Sequence, residues 1–118
     1  MATKVLETTV RPQGHVAVID LRGEIDSFGE TALNSAYAEA EELTPKAILL
    51  NFTGVDYINS TGIALIVGLL ARACKSGCKL LTSGLSSHYV EIFQITRLAD
   101  FMSIYPDEAS ALAGATAA

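Results

Sequence analysis

The stretch AILLNFTGVDYINSTGIALIVGLL, residues 47 to 70, passes from a short apolar run through a polar turn into a longer apolar run. AILLNF, bounded by Lys46 and by Thr53-Gly54, has the length and composition of a strand buried on both faces. The run after Gly62 is long enough for a helix. Asn59, Ser60 and Thr61 are each able to cap that helix, which runs to Lys75, and Gly77 supplies a left-handed stop. A single cap suffices, so three candidates in a row are more than the helix start requires. The helix itself is apolar nearly all round: Ile63, Ala64, Leu65, Ile66, Val67, Leu69 and Leu70 cannot all face one sheet. Such a helix is either wholly buried or presents apolar surface to a partner.

Reading outward from this unit supplies the rest of the fold. Upstream, KVLETTVRP and HVAVIDLRG flank Pro12, Gln13 and Gly14, which predicts a hairpin with strands at about 4 to 10 and 15 to 22. The second of these is apolar on both faces, as a central strand is. In DSFGE, Ser27 and Glu30 have the spacing of a capping box. A first helix is expected from near Phe28, with Leu33 and Tyr37 on its buried stripe and its end before Pro45. Downstream, KLLTS reads as a strand, SSHYVEIFQI as a helix capped by Ser86 or Ser87, and FMSIY as a short last strand. PDEASALAG reads as a terminal helix with Asp107 and Glu108 at its positive end, and the Ala-rich tail from about 114 reads as loose. Strands alternating with helices require right-handed crossovers. The expectation is an α/β fold: a mixed, mostly parallel sheet of about five strands with an N-terminal hairpin and about four helices, in a single domain spanning residues 1 to 118.

Composition narrows the function. Half of the 118 residues are apolar, 18% are charged and the net charge is -5. That is a folding composition, and one that repels a phosphate backbone unless basic residues cluster. Arg72, Lys75 and Lys79 are the nearest approach to a cluster, so nucleic acid is not an expected partner. The longest apolar run, Ile63 to Ala71, falls well short of the roughly 20 residues of a bilayer span, so membrane insertion is not expected. MATKVLETTVRP carries polar and acidic residues where a secretory signal has its apolar segment, which gives a cytoplasmic expectation. Cys74 and Cys78 are then expected as thiols. They offer two ligands where a structural zinc needs four, and no metal or cofactor is expected.

Catalysis finds no candidate. His15 opens a strand and His88 sits in a first helical turn, and neither lies in a motif that brings it to Ser60. GLLARACKS lacks the glycine a phosphate loop needs before its lysine, and it sits at the wrong helix end for an anion. Glu24, Asp26 and Asp56 read as a solvated acidic rim at strand ends. A hydroxyl at the start of the second helix is, by contrast, suited to a switch. A phosphate there meets helix-end N–H groups and a favourable dipole while adding nearly two negative charges.

Four segments carry a resemblance to a known family: LRGEIDSFGETAL (21 to 33), the opening stretch, GCKLLTSGLSSHYVEIFQITRL (77 to 98), and the strand and helix after Asp100. Together they resemble the STAS domain, and most closely the single-domain bacterial anti-sigma factor antagonists. The resemblance implies that Ser60 is phosphorylated by an anti-sigma factor that is itself a serine kinase, with Thr61 as the alternative acceptor. The unphosphorylated form binds that kinase and frees the sigma factor, and a serine phosphatase resets the cycle. It implies a partner-binding surface of Gly23, Glu24, Ile25, Asp26, Asp56, Asn59, Ser60, Thr61 and Gly62 on a monomer or weak dimer without enzymatic activity. Asn59 stands where the family usually has Asp, and Arg97 replaces a glycine common after the third helix. The alternative reading is a non-switching STAS scaffold or small-ligand module in a sensory or transport complex.

Overall fold

The computed structural model describes residues 5–116. Its elements are β1 (Glu7–Gln13), β2 (Val16–Ile25), α1 (Glu30–Glu42), β3 (Ala47–Ile58), α2 (Ser60–Ser76), β4 (Lys79–Ser83), α3 (Ser87–Ile95), β5 (Ser103–Tyr105) and α4 (Glu108–Thr116). The five strands form one sheet in the order β1-β2-β3-β4-β5. β1 runs antiparallel to β2, and every other pair is parallel.

Strand alternation divides the core between two faces. Ala17, Ile19 and Leu21 of β2, with Ile48, Leu50 and Phe52 of β3, pack with Leu33 and Tyr37 of α1, Ile66 and Leu69 of α2 and Phe93 of α3. Phe93 meets Phe52 edge to face. On the other face Val16, Val18, Ala47, Leu49 and Leu81 pack with Ala111 of α4. The interior strands are therefore covered on both sides, as their apolar runs predict. An ion-pair relay ties α4 to the sheet: Arg11 donates to both carboxylate oxygens of Asp20, at 2.6 and 3.0 Å, and to Glu108 at 2.6 Å. Asn51 donates to the same Asp20 at 2.8 Å.

Several boundaries differ from expectation. The hairpin turn is Gly14-His15, not Pro12 to Gly14, with Gln13 opposite Val16. Gly14 takes φ 64, as the first central residue of a tight hairpin turn requires. Pro12 stays inside β1 because β1 is an edge strand, where a missing donor costs no ladder bond. Lys4, the expected start of this strand, lies outside the described residues. Ser27 and Glu30 form no capping box: Asp26 caps a 3₁₀ turn, Ser27–Gly29, by accepting from the Phe28 N–H at 3.0 Å, and α1 follows from it. Of the residues Gly23 to Asp26, only Asp26 lies outside the strand. Gly23, Glu24 and Ile25 are the end of β2, whose register shifts between Gly23 and Glu24, with Gly23 at φ 102. β3 does not stop at Thr53-Gly54 but continues to Ile58. α4 runs through Gly114 to Thr116, where the sequence reads as a loose tail, because Gly114 packs on the Tyr105 ring where a Cβ would collide. Ala117 and Ala118 lie outside the described residues. Arg97 keeps the left-handed turn, at φ 66, and its Nε donates to Asp100 at 2.8 Å.

Candidate functional site

β3 outlasts β4. β4 pairs with β3 only as far as Asn51 opposite Ser83, while β2 follows β3 on to Ile25 opposite Ile58. The two strands thus leave the sheet as a ribbon, and α2 starts at its tip. Asn59 makes the corner. Its N–H donates to the Ile25 carbonyl at 3.2 Å, closing the ribbon, and its side-chain Oδ1 accepts from the Gly62 N–H at 2.8 Å, capping the helix. Its carbonyl accepts the first helical bond, from the Ile63 N–H at 2.9 Å. Gly62 sits against the Ile25 carbonyl so closely that any Cβ would strike it. This contact fixes the helix start on the end of β2.

Of the three candidates the cap is therefore Asn59, and neither hydroxyl holds the helix start. Both are exposed, and among the described residues neither hydroxyl has a hydrogen-bond partner. Gly23, Glu24, Ile25 and Asp26 line the neighbouring strand end: Gly23 lies opposite Val55 and Glu24 opposite Tyr57, so Glu24 and Asp56 come to the same end of the ribbon. Asp26 is occupied as a cap, and Ile25 is buried beneath Gly62. The expected residues are thus brought together, with Ile25 in a structural position.

Three features were not legible in advance. Phe28, 81% exposed, stands in the 3₁₀ turn that packs beside α2, and Tyr57 is half exposed on the ribbon. Phe28 is off the buried stripe of Leu33, Tyr37 and Ala40, which is the signal that marks it. Tyr89 of α3 uses its hydroxyl twice on one residue, accepting from the Ile58 N–H at 2.9 Å and donating to the Ile58 carbonyl at 3.3 Å. It stands in for the strand that β4 does not supply. Nothing local in the sequence points to a backbone partner 31 residues away.

The apolar helix resolves into two sides. Gly62, Ile66, Leu69, Leu70 and Ala73 are buried, whereas the face of Ser60 continues through Ala64, Val67, Ala71 and Cys74, all exposed. Among the described residues no helix is long and apolar enough to cross a membrane, and no group of three or more His, Cys, Asp or Glu side chains is placed to hold a metal ion.

Comparison with known proteins agrees with this architecture. The STAS domain matches residues 7–111. The anti-sigma-B factor antagonist of Staphylococcus aureus is 27% identical over 99 residues, covering 84% of this chain and 90% of that protein. Among solved structures, an anti-sigma factor antagonist from Mycobacterium paratuberculosis superposes with a TM-score of 0.76 at 21% identity, covering 94% of each chain. The phosphorylated form of the Bacillus cell fate determinant SpoIIAA superposes with a TM-score of 0.67 at 19% identity, covering 88% of this chain and 96% of that one. At such identities the structures speak for the fold alone. With the family match running from β1 into α4, the chain belongs to the STAS domain family.

Proposed function

We propose that the chain is an anti-sigma factor antagonist: unphosphorylated, it binds an anti-sigma factor serine kinase and releases the sigma factor, and phosphorylation at Ser60 ends that binding. The observation that carries this reading is that Asn59 caps α2, which leaves the Ser60 hydroxyl exposed and without a structural duty at the positive end of a 17-residue helix. In the transfer, Ser60 Oγ attacks the γ-phosphorus of ATP held by the kinase, a new O–P bond forms, ADP leaves, and the hydroxyl proton passes to a base on the kinase. The added group carries about -1.5 to -2 charge at neutral pH. Its own domain tolerates it, because helix-end N–H groups and the dipole favour an anion there. A partner seated on the face of Ser60, Ala64 and Val67, with Phe28 beside it, does not tolerate it. The charge must then be desolvated against an apolar surface already ringed by Glu24, Asp26 and Asp56. The names of the Staphylococcus relative and of the phosphorylated SpoIIAA structure support the same reading. The chain acts by binding, and a serine phosphatase restores it.

The test is to give the purified protein an anti-sigma factor serine kinase and Mg-ATP. One phosphate is expected at Ser60, with affinity for the kinase falling at least tenfold. Ser60→Ala keeps binding and takes up no phosphate. Phosphate arriving at Thr61 in that variant would move the acceptor by one residue, and equal affinity of the two forms for the kinase would end the proposal.

A further inference from the structure

We propose that the groove between α3 and β5 receives an extended, basic peptide segment that adds itself as a strand to the outer edge of β5. β5 pairs with β4 on one side only, Ser103 opposite Leu81 through Tyr105 opposite Ser83, and it closes the sheet at that side. The two edges of the sheet differ. β1 carries Pro12, Glu7 and Arg11 along its length, and proline and charge are the usual guards against strand addition. The three residues of β5 contain neither.

Beside this edge lies a groove of about 810 Å³. Leu85, Val90 and Ile104, each half-buried, form its apolar lining, and the exposed Glu91 and Gln94 of α3 and Pro106 complete it. A strand laid along β5 sends alternate side chains to opposite faces of the sheet, so every second residue of the incomer reaches this lining. Because β5 offers only about 10 Å of ladder at roughly 3.3 Å per residue, backbone pairing alone holds weakly and side-chain burial has to supply the rest. The charge of the occupant follows from the rim. Glu91 is acidic, no Lys or Arg among the described residues lines the groove, and Asp107 follows Pro106 directly. The Asp107 carboxyl is held below its ordinary range by the backbone N–H of Ser110. An incoming segment with small apolar residues flanked by Lys or Arg is complementary to the groove in shape and sign. The site shares no residue with the Ser60 surface, so it stands or falls independently of the function proposed above.

The experiment titrates the isotopically labelled protein with acetyl-Lys-Val-Thr-Val-Lys-amide and follows its backbone amides by NMR. Saturable shifts are expected at Val90, Gln94 and Ser103 to Tyr105. Acetyl-Glu-Val-Thr-Val-Glu-amide is expected to bind at least tenfold more weakly, and E91K, an exposed substitution that leaves the fold alone, is expected to narrow that preference. Methylating the peptide's two valine nitrogens and its threonine nitrogen, which removes ladder donors, is expected to abolish the shifts. The proposal is overturned if the basic peptide gives no saturable shifts, if the acidic peptide binds equally, or if the methylated peptide binds as well as the parent. It is also overturned if the same amides shift on simple dilution of the protein, which would make this edge a self-association surface.

Discussion

Asn59 ends a strand and begins a helix with one side chain and one peptide unit, and this economy is what frees Ser60. Replacing it with alanine removes the Oδ1 bond to Gly62. N59A should lose about 1 kcal/mol of stability, the usual value of an N-cap, measured as a shift in the denaturant midpoint. N59D should retain most of it, since aspartate caps as well as asparagine. If N59A matches the parent, one of the two hydroxyls has taken over the cap, and the account of Ser60 as unoccupied fails. The sequence offered three candidates for this cap and did not choose among them. The choice depends on where β2 stops following β3, and that register, Ile25 opposite Ile58, is a pairing 33 residues long that spacing within the turn does not contain. The same limit explains Ser27 and Glu30. Their spacing suits a capping box, but Asp26, at the end of β2, reaches the turn first.

At the scale of elements, order and type were legible because each apolar run has an unambiguous length and period, and the punctuation at Gly77 and Ser86 is where the chain turns. Strand β3 was legible only through its apolar half. Its second half, from Thr53 to Ile58, is mostly exposed and is strand because β2 and Tyr89 satisfy its backbone. Removing the Tyr89 hydroxyl tests this directly. Y89F should cost about 1–2 kcal/mol, because two backbone groups of Ile58 lose their partner in a part-buried position. It should also speed hydrogen exchange at the Ile58 amide by more than at amides of β4. Equal acceleration throughout the sheet would mean that the hydroxyl does no local work. Arg97 shows the converse case, a turn retained against residue preference at a cost of roughly 1–2 kcal/mol. The geometry of the helix it ends outweighs the residue that ends it.

Across the whole molecule, α4 covers the second face of the sheet by packing Ala111 and Gly114 on it, and Arg11 adds a polar link between them. Arg11 holds the Asp20 carboxyl below its ordinary range by hydrogen bonding, against burial, which pushes it up, and with help from Asn51. A carboxyl lowered in this way contributes stability at pH values above its unfolded pKa, near 4, and the contribution is lost as pH falls through the folded value. R11M should therefore be less stable than the parent by about 1–2 kcal/mol at pH 7, a figure kept modest because both partners are partly solvated. The difference should shrink as the pH is taken below about 4. A constant difference across that range, in thermal melts at matched ionic strength, would show that Arg11 contributes by packing alone. The division of labour between the ends of the sheet has a mechanical consequence. Because β2 and β3 run on beyond β4, the tip of the ribbon is a cantilever, rooted in the sheet and propped near its end by Tyr89 and the start of α2. A load applied at the tip is therefore borne by the prop at Ile58 before it reaches the sheet.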